Sequence, residues 1–175
     1  MKRNLFLLKF GGYVFVSVLG TLFHFLYDLT GKIIIFAPFT AVNESIFEHM
    51  KLLYFPLLLW TIIEIYIFKR EYKNFFCAKA KAFNVGLLLI PFLFYTYTGA
   101  LGVYSDWFNI LIFFISAAVA FIVDSKSLKC NRDCLFPESF YKFYILLLGV
   151  LFVIFTFFPI EIPLFLDRQS GNYGI

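Results

Sequence analysis

Five apolar stretches, each long enough to cross a lipid bilayer, constrain this chain more than any other feature of its sequence. A helix needs about 20 predominantly apolar residues to cross the hydrocarbon core of a membrane. The stretches lie at about residues 5–28, 44–68, 80–98, 105–123 and 139–158. They fill most of the 175 residues and leave no room for a separate soluble domain. We therefore predict an all-α fold, an integral membrane bundle of five transmembrane helices, forming a single domain over residues 1–175 with a C-terminal tail at 159–175.

The composition excludes the two main alternatives to a membrane protein. Apolar residues make up 62% of the chain and charged residues only 15%, against about 45–50% and about 25% in a typical soluble domain. A soluble domain of this size cannot bury so much apolar surface in one core, and disordered chains have the opposite composition. The net charge of +4 is not typical of a nucleic-acid partner here, because Lys and Arg in membrane proteins mainly report topology. The expected partner is the lipid bilayer.

The distribution of basic residues predicts the orientation of the spans. With the N-terminus in the cytoplasm, twelve Lys and Arg residues fall on the cytoplasmic side, and only Lys32, Lys51 and Arg168 fall on the other. Such a bias favours a cytoplasmic N-terminus and an extracytoplasmic C-terminus. Phe, Ile, Lys, Asn and Tyr, which AT-rich codons encode, are abundant. We therefore expect a multipass protein of a bacterial cytoplasmic (inner) membrane.

Both histidines and several carboxylates collect at the extracytoplasmic ends of the first two spans. His24 and Asp28 are four residues apart and share one helix face, and Glu44 and Glu48 have the same spacing. His49 follows Glu48 directly. Because a short loop joins the two spans, their extracytoplasmic ends lie close together. The sequence therefore predicts that these five side chains converge.

Imidazoles and carboxylates together are typical ligands of zinc and other divalent metals. We predict a divalent metal, zinc first, bound by His24, Asp28 and Glu48, with His49 and Glu44 as catalytic residues that transfer protons. A second possible ligand set is His24, Glu48 and His49. An interpretation without a metal also stands: Glu44 helps to cap a helix, Glu48 pairs with Lys51, and both imidazoles lie among lipid headgroups.

Further polar residues are candidates for the same extracytoplasmic pocket. Asn43 is predicted to cap the second span, because its side chain can accept a hydrogen bond from a free backbone N–H group. Lys51 shares a helix face with Glu48. Tyr95 and Asp106, on the third and fourth spans, either complete the pocket or form hydrogen bonds between helices.

Glu64 is the one carboxylate well inside a predicted span. An intramembrane acid is a functional candidate. The other interpretation is that Glu64 reaches the cytoplasmic interface and pairs there with Lys69 or Arg70.

Three cysteines, Cys77, Cys130 and Cys134, do not predict a disulfide framework. The last two lie in a predicted cytoplasmic loop. Since the cytoplasm keeps thiols reduced, we expect reduced thiols there.

Three strings of residues are distinctive: His24 to Tyr27, the Asn-Glu-Ser-x-x-Glu-His-x-Lys pattern of Asn43 to Lys51, and Asp167 to Gly171 followed by the terminal Tyr-Gly-Ile. They resemble a family of small multipass bacterial membrane proteins of unknown function. The resemblance covers nearly the whole chain and implies a five-helix integral membrane protein without implying an activity. It also draws attention to the tail, where we expect Asp167 and Tyr173 to fold back over the mouth of the bundle.

Three functions are compatible with these features. The first is a metal-assisted hydrolase or transferase that acts on a lipid or lipid-linked substrate. The second is an accessory or structural subunit that binds a membrane partner protein or a second copy of the chain. The third is a small cation transporter, although the middles of the second and fifth spans are nearly all apolar, and a transport path needs polar groups along its depth.

Overall fold

Each predicted span corresponds to a helix in the computed structural model, which describes residues 4–68, 71–130 and 134–175. Within those residues the chain forms α1 (Leu5–Leu29), α2 (Ile46–Phe68), α3 (Phe75–Leu101), α4 (Asp106–Cys130) and α5 (Glu138–Phe157). Each helix is long and apolar enough to cross a membrane. The predicted all-α class and the five predicted apolar helices are therefore confirmed for the described residues, while insertion in a membrane and the orientation of the termini stay predictions.

Two helices are longer than the hydropathy pattern predicts. The α3 helix begins at Phe75 rather than near residue 80, because the Glu138 carboxylate accepts hydrogen bonds from the backbone N–H groups of Phe76 (2.6 Å) and Cys77 (3.2 Å). A carboxylate at this position satisfies free N–H groups and suits the helix dipole. The α4 helix continues past residue 123 to Cys130. Hydropathy therefore marks the apolar part of each helix and not its ends.

The α2 helix begins two residues later than predicted, so the assignment of Asn43 as its N-cap is wrong. The helix starts at Ile46, and Ser45 precedes it. Asn43 instead accepts a hydrogen bond from the Ser45 N–H (2.9 Å) through Oδ1 and donates one to the Gly174 carbonyl (2.8 Å) through Nδ2. Asn43 thus joins the start of α2 to the end of the C-terminal tail.

Small residues allow α1 to lie close to its neighbours, α2 and α4. Gly12, Val16 and Gly20 form its buried stripe. A Cβ atom on Gly20 would lie 2.5 Å from the Phe113 ring and 2.9 Å from the Leu52 carbonyl oxygen. Only glycine fits this contact, as is common where helices pack closely. This contact matters because it lies one turn from His24.

Four charged side chains form a buried ionic cluster that joins α1, α2, α3 and α4. Lys9 Nζ lies 2.6 Å from Glu64 Oε1 and 2.5 Å from Asp124 Oδ2, and Lys79 Nζ contacts Glu64 and lies 2.5 Å from Asp124 Oδ2. Each side chain is at most 5% exposed. Glu64 therefore pairs with lysines of α1 and α3, a pairing that neither interpretation of Glu64 from the sequence includes. Lys69 and Arg70, the predicted partners, lie outside the described residues.

A disulfide between Cys77 and Cys134 lies at the same end of the bundle as the ionic cluster. It joins the first turn of α3 to the segment before α5, close to the Glu138 contact. The expectation of reduced thiols in the loop of Cys130 and Cys134 is therefore wrong for Cys134. Their separation of 57 residues along the chain gives no sequence signal for the pairing. Cys130 is a free, exposed thiol.

Candidate functional site

Both histidines meet one carboxylate where α1 ends and α2 begins, which we call the outer end of the bundle. His24 lies in the last turns of α1, Glu44 in the connecting loop and His49 in the first turn of α2. Glu44 Oε2 lies 3.5 Å from His24 Nε2 and 3.6 Å from His49 Nε2. One nitrogen or oxygen atom from each residue lies within 4.8 Å of the other two. We call His24, Glu44 and His49 the outer cluster.

The Ser45 carbonyl, just before α2, determines which nitrogen of His49 faces Glu44 as an acceptor. His49 Nδ1 lies 2.8 Å from the Ser45 carbonyl oxygen. A carbonyl oxygen only accepts, so Nδ1 carries the hydrogen, and in the neutral ring Nε2 keeps its lone pair. That lone pair then faces the Glu44 carboxylate, which also accepts. Two acceptors at this distance need a cation or a proton between them.

His24 is not satisfied by the protein alone. Its Nδ1 is buried and has no hydrogen-bond partner among the residues described. Its Nε2 is 3.5 Å from Glu44, beyond the range of about 2.7–3.2 Å of an N–H···O bond. The His24 and His49 rings lie edge to face, with centroids 5.6 Å apart. Both imidazoles therefore face one shared space beside Glu44.

Glu44 carries a negative charge in this setting. Its side chain is 31% exposed. Its contact with His24 lowers the pKa of the Glu44 carboxyl, while partial burial opposes this effect. A carboxylate that is ionised without a metal present is ready to bind one, since metal ligands must be deprotonated.

A cavity of about 340 Å³ adjoins the outer cluster. This volume lies at the lower end of the range of about 300–1,000 Å³ that is usual for small-molecule sites. The walls come from α1, the start of α2, α4 and the tail. The lining residues are Gly20, Thr21, His24, Phe25, Glu44, His49, Leu52, Asp106, Asn109, Ile110, Phe113, Phe114 and Gln169. A site with apolar walls and a polar end is therefore present beside the histidines.

Glu48, a predicted metal ligand, faces away from the outer cluster. Its Oε2 accepts a hydrogen bond from the Val42 N–H (3.0 Å) and pairs with Lys51 Nζ at 2.7 Å. Lys51 is fully buried and also donates to the Ala37 carbonyl (2.7 Å) and the Thr156 hydroxyl (2.9 Å). The pair thus holds the loop before α2 against α5. The Asn-Glu-Ser-x-x-Glu-His-x-Lys pattern therefore has two structural roles. Glu48 and Lys51 form a buried ion pair, whereas Glu44 and His49 line the cavity.

Of the other helix residues predicted to line the pocket, Asp106 lines the cavity, and Asp28 and Tyr95 do not. Asp28 is exposed in the last turn of α1 and does not line the described cavity. Asp106, the first residue of α4, does line it. Tyr95 is 38% exposed and lies outside the cavity wall, while Tyr97 donates a hydrogen bond to Asn109 Oδ1 (2.8 Å). The structure therefore places Asp106 and Asn109 near the outer cluster.

The C-terminal tail folds back over the outer end of the bundle. The Phe47 N–H of α2 donates to the Leu164 carbonyl (3.1 Å), and Tyr173 pairs with Leu166 in an isolated antiparallel bridge. Asp167 accepts hydrogen bonds within the turn of the tail, from the Gln169 N–H (3.0 Å) and from a serine hydroxyl. Asp167 and Tyr173 thus shape the tail, and Gln169 reaches the cavity. Sequence reasoning does not single out Gln169, because only the folded tail brings it there.

Fold and site define this chain as a bundle of apolar helices with a polar, cavity-bearing outer end. The model of DUF6512, a family of unknown function, matches residues 6–175, and the chain belongs to this family. No curated protein and no solved structure matches the chain.

Proposed function

We propose that this protein is a membrane-spanning, metal-dependent hydrolase or transferase whose divalent cation, zinc first, binds at the outer cluster. The observation that carries the proposal is the donor set: two imidazoles and one carboxylate within 4.8 Å of one another. Two His and one Glu, with a fourth position open to water or substrate, form a recurring set in catalytic zinc sites. Such a metal supplies an activated water or a polarised carbonyl or phosphoryl oxygen.

The distances support this assignment. Zinc bonds of about 2.0–2.1 Å in a tetrahedral site place neighbouring donor atoms about 3.3 Å apart. The separations from Glu44 Oε2 are 3.5 Å to His24 and 3.6 Å to His49. The contact between His49 Nδ1 and the Ser45 carbonyl is the outer hydrogen bond that metal-binding histidines usually make, and it orients the ring.

The proposed ligands differ from the set favoured by sequence reasoning. Glu44 and His49 take the places of Asp28 and Glu48, because Glu48 is held by Lys51 and Asp28 points to the surface. Because Glu44 and His49 are ligands in this proposal, Asp106 takes over the role of the residue that transfers protons. Its carboxylate lines the cavity and interacts electrostatically with both imidazoles.

The proposal includes a bacterial inner membrane and a cytoplasmic N-terminus, so that the outer cluster faces the extracytoplasmic side. Three of the lysines that enter the charge bias, Lys9, Lys51 and Lys79, are buried in ion pairs. The remaining basic residues still favour the same orientation, whereas the Cys77–Cys134 disulfide at the other end favours the opposite one, because the cytoplasm keeps thiols reduced. Several of them, such as Lys69 and Arg70, lie outside the described residues.

Metal content tests the ligand set. We expect about one divalent metal per purified chain, as a single three-ligand site requires, and its loss in His24→Ala, Glu44→Gln and His49→Ala. Asp28→Asn is the matched control and retains the metal, because Asp28 does not belong to the outer cluster. The measurement is elemental mass spectrometry on detergent-purified protein whose fold is checked by its melting temperature.

Two outcomes would contradict the proposal. Metal retained in Glu44→Gln but lost in Asp28→Asn would favour the ligand set of the sequence interpretation. No metal in the wild-type protein, even after repurification with added zinc or manganese, would favour an accessory subunit or a transporter.

Labelling of Cys130 tests the orientation. This free, exposed thiol lies at the opposite end from the outer cluster, so a membrane-impermeant maleimide is expected to label it only after the membrane is permeabilised. Ile35→Cys in a Cys130→Ser background is the control, because Ile35 is 69% exposed in the loop between α1 and α2. Labelling of Cys130 in intact cells would show that the protein has the opposite orientation. The disulfide would then face the oxidising side of the membrane, where disulfides persist.

A further inference from the structure

The cavity beside the outer cluster opens at the apolar outer surface of the helix bundle. Phe25 of α1 and Ile110 of α4 line the cavity, and yet they are 56% and 49% exposed on the surface of the bundle. One opening of the cavity therefore lies between α1 and α4, among exposed apolar side chains, and the exposed Asp106 and Gln169 border it at the outer end. Phe113 and Phe114 continue the apolar wall inwards. A hydrocarbon chain can enter here from the bilayer without passing through water.

The polar end of the cavity has a charge pattern that selects among lipid headgroups. Glu44 and Asp106 are its carboxylates, and Thr21, Asn109 and Gln169 are its uncharged polar side chains. Among the described residues that line it, none is Lys or Arg. A divalent cation at the outer cluster would be balanced by the two carboxylates. No positive charge then remains for an anionic headgroup.

Hydrogen bonding favours hydroxyl groups at this end. Carboxylates only accept hydrogen bonds, and hydroxyl groups donate them. Asn109 already accepts the Tyr97 hydroxyl through Oδ1 (2.8 Å), so its amide N–H groups are the donors it offers to a ligand. Carboxylates, amides and one hydroxyl together match a headgroup that both donates and accepts.

We infer that the cavity binds an uncharged, hydroxylated lipid taken from the bilayer, of which a monoacylglycerol is the simplest example. The headgroup lies at the outer cluster, and the hydrocarbon chain leaves between α1 and α4. This inference rests on the proposed function, whose metal balances the two carboxylates, and it names the substrate class of that site.

Photolabelling in lipid nanodiscs tests the inference. The probe is a monoacylglycerol with a diazirine in its acyl chain, and the comparison probes carry the same chain with a free carboxylate or a phosphate headgroup. We expect the uncharged probe to label the cavity walls of α1 and α4 most strongly. Ile110→Trp fills the opening and should reduce this labelling at least about tenfold, the scale of a steric misfit in an apolar pocket. Leu111→Trp is the matched control, because Leu111 is 51% exposed and does not line the cavity.

A second pair of variants on α1 keeps the test independent of α4. Thr21→Phe narrows the same opening from the other side, and its neighbour Leu22, 59% exposed and outside the cavity wall, provides the control Leu22→Phe. Labelling that neither Ile110→Trp nor Thr21→Phe reduces would overturn the inference, and so would preferential labelling by either anionic probe.

Metal content, measured on the same samples, separates this inference from the proposed function. Metal retained with labelling unchanged in both blocking variants refutes the lipid site and leaves the metal site. Labelling that both variants remove, in a chain that binds no metal, supports the lipid site and refutes the metal-dependent reaction.

Discussion

Replacing Lys79 by methionine is expected to lower the free energy of unfolding by about 3–5 kcal/mol, the usual cost of removing one partner from a buried ion pair. Lys79 is 1% exposed and contacts both Glu64 and Asp124. Its loss leaves two buried carboxylates to share Lys9. The measurement is a denaturant titration in mixed micelles. Lys81→Met, two residues along α3 at an exposed position, is the control and should change stability little.

A second variant distinguishes charge balance from packing at the ionic cluster. Replacing Lys9, Glu64, Lys79 and Asp124 together by apolar residues of similar size leaves no uncompensated charge, so most of the lost stability should return. Equal stability of Lys79→Met and Lys81→Met would contradict the buried network. If the variant with all four residues replaced is no more stable than Lys79→Met, the cluster stabilises the fold by more than the mutual neutralisation of its charges.

Lys51→Met is expected to produce a loss of similar size, about 3–5 kcal/mol, for the same electrostatic reason, and to weaken metal binding as well. Lys51 is fully buried between Glu48, the Ala37 carbonyl and Thr156. Glu48 also holds the Val42 N–H, two residues before Glu44. Removing the lysine therefore loosens the loop that positions Glu44. Unfolding titrations and metal titrations on the same protein measure the two effects.

The metal titration decides whether the Glu48–Lys51 pair acts on the site as well as on the fold. Asp28→Asn is the control, because Asp28 lies near the site at an exposed position and should leave both stability and metal affinity unchanged. A folded Lys51→Met protein with wild-type metal affinity would refute the positioning role. If Asp28→Asn lowers the metal affinity as much as Lys51→Met does, the effect is due to surface charge near the site.

The sequence predicts the helices well, because hydropathy is a local and additive property of the chain. A stretch of apolar residues is long enough to cross a membrane whatever its neighbours do. The prediction that five side chains converge follows from the same kind of reasoning, since a short loop must bring the ends of two spans together. It holds for His24, Glu44 and His49 and fails for Asp28 and Glu48. The start of α2 is harder to predict. Because the helix begins at Ile46, Glu44 lies outside it and does not share the helix face of Glu48.

Only the tertiary structure decides which charges meet. Lys9 and Lys79 resemble topological charges in the sequence, yet they neutralise Glu64 and Asp124 inside the bundle. Glu48 resembles a metal ligand but is already held by Lys51. An ionised side chain can be buried only where an opposite charge or a hydrogen-bond partner is within reach. Residues far apart in the chain supply those partners, so the pattern of apolar stretches determines the helices, and the packing of the helices determines the pairs.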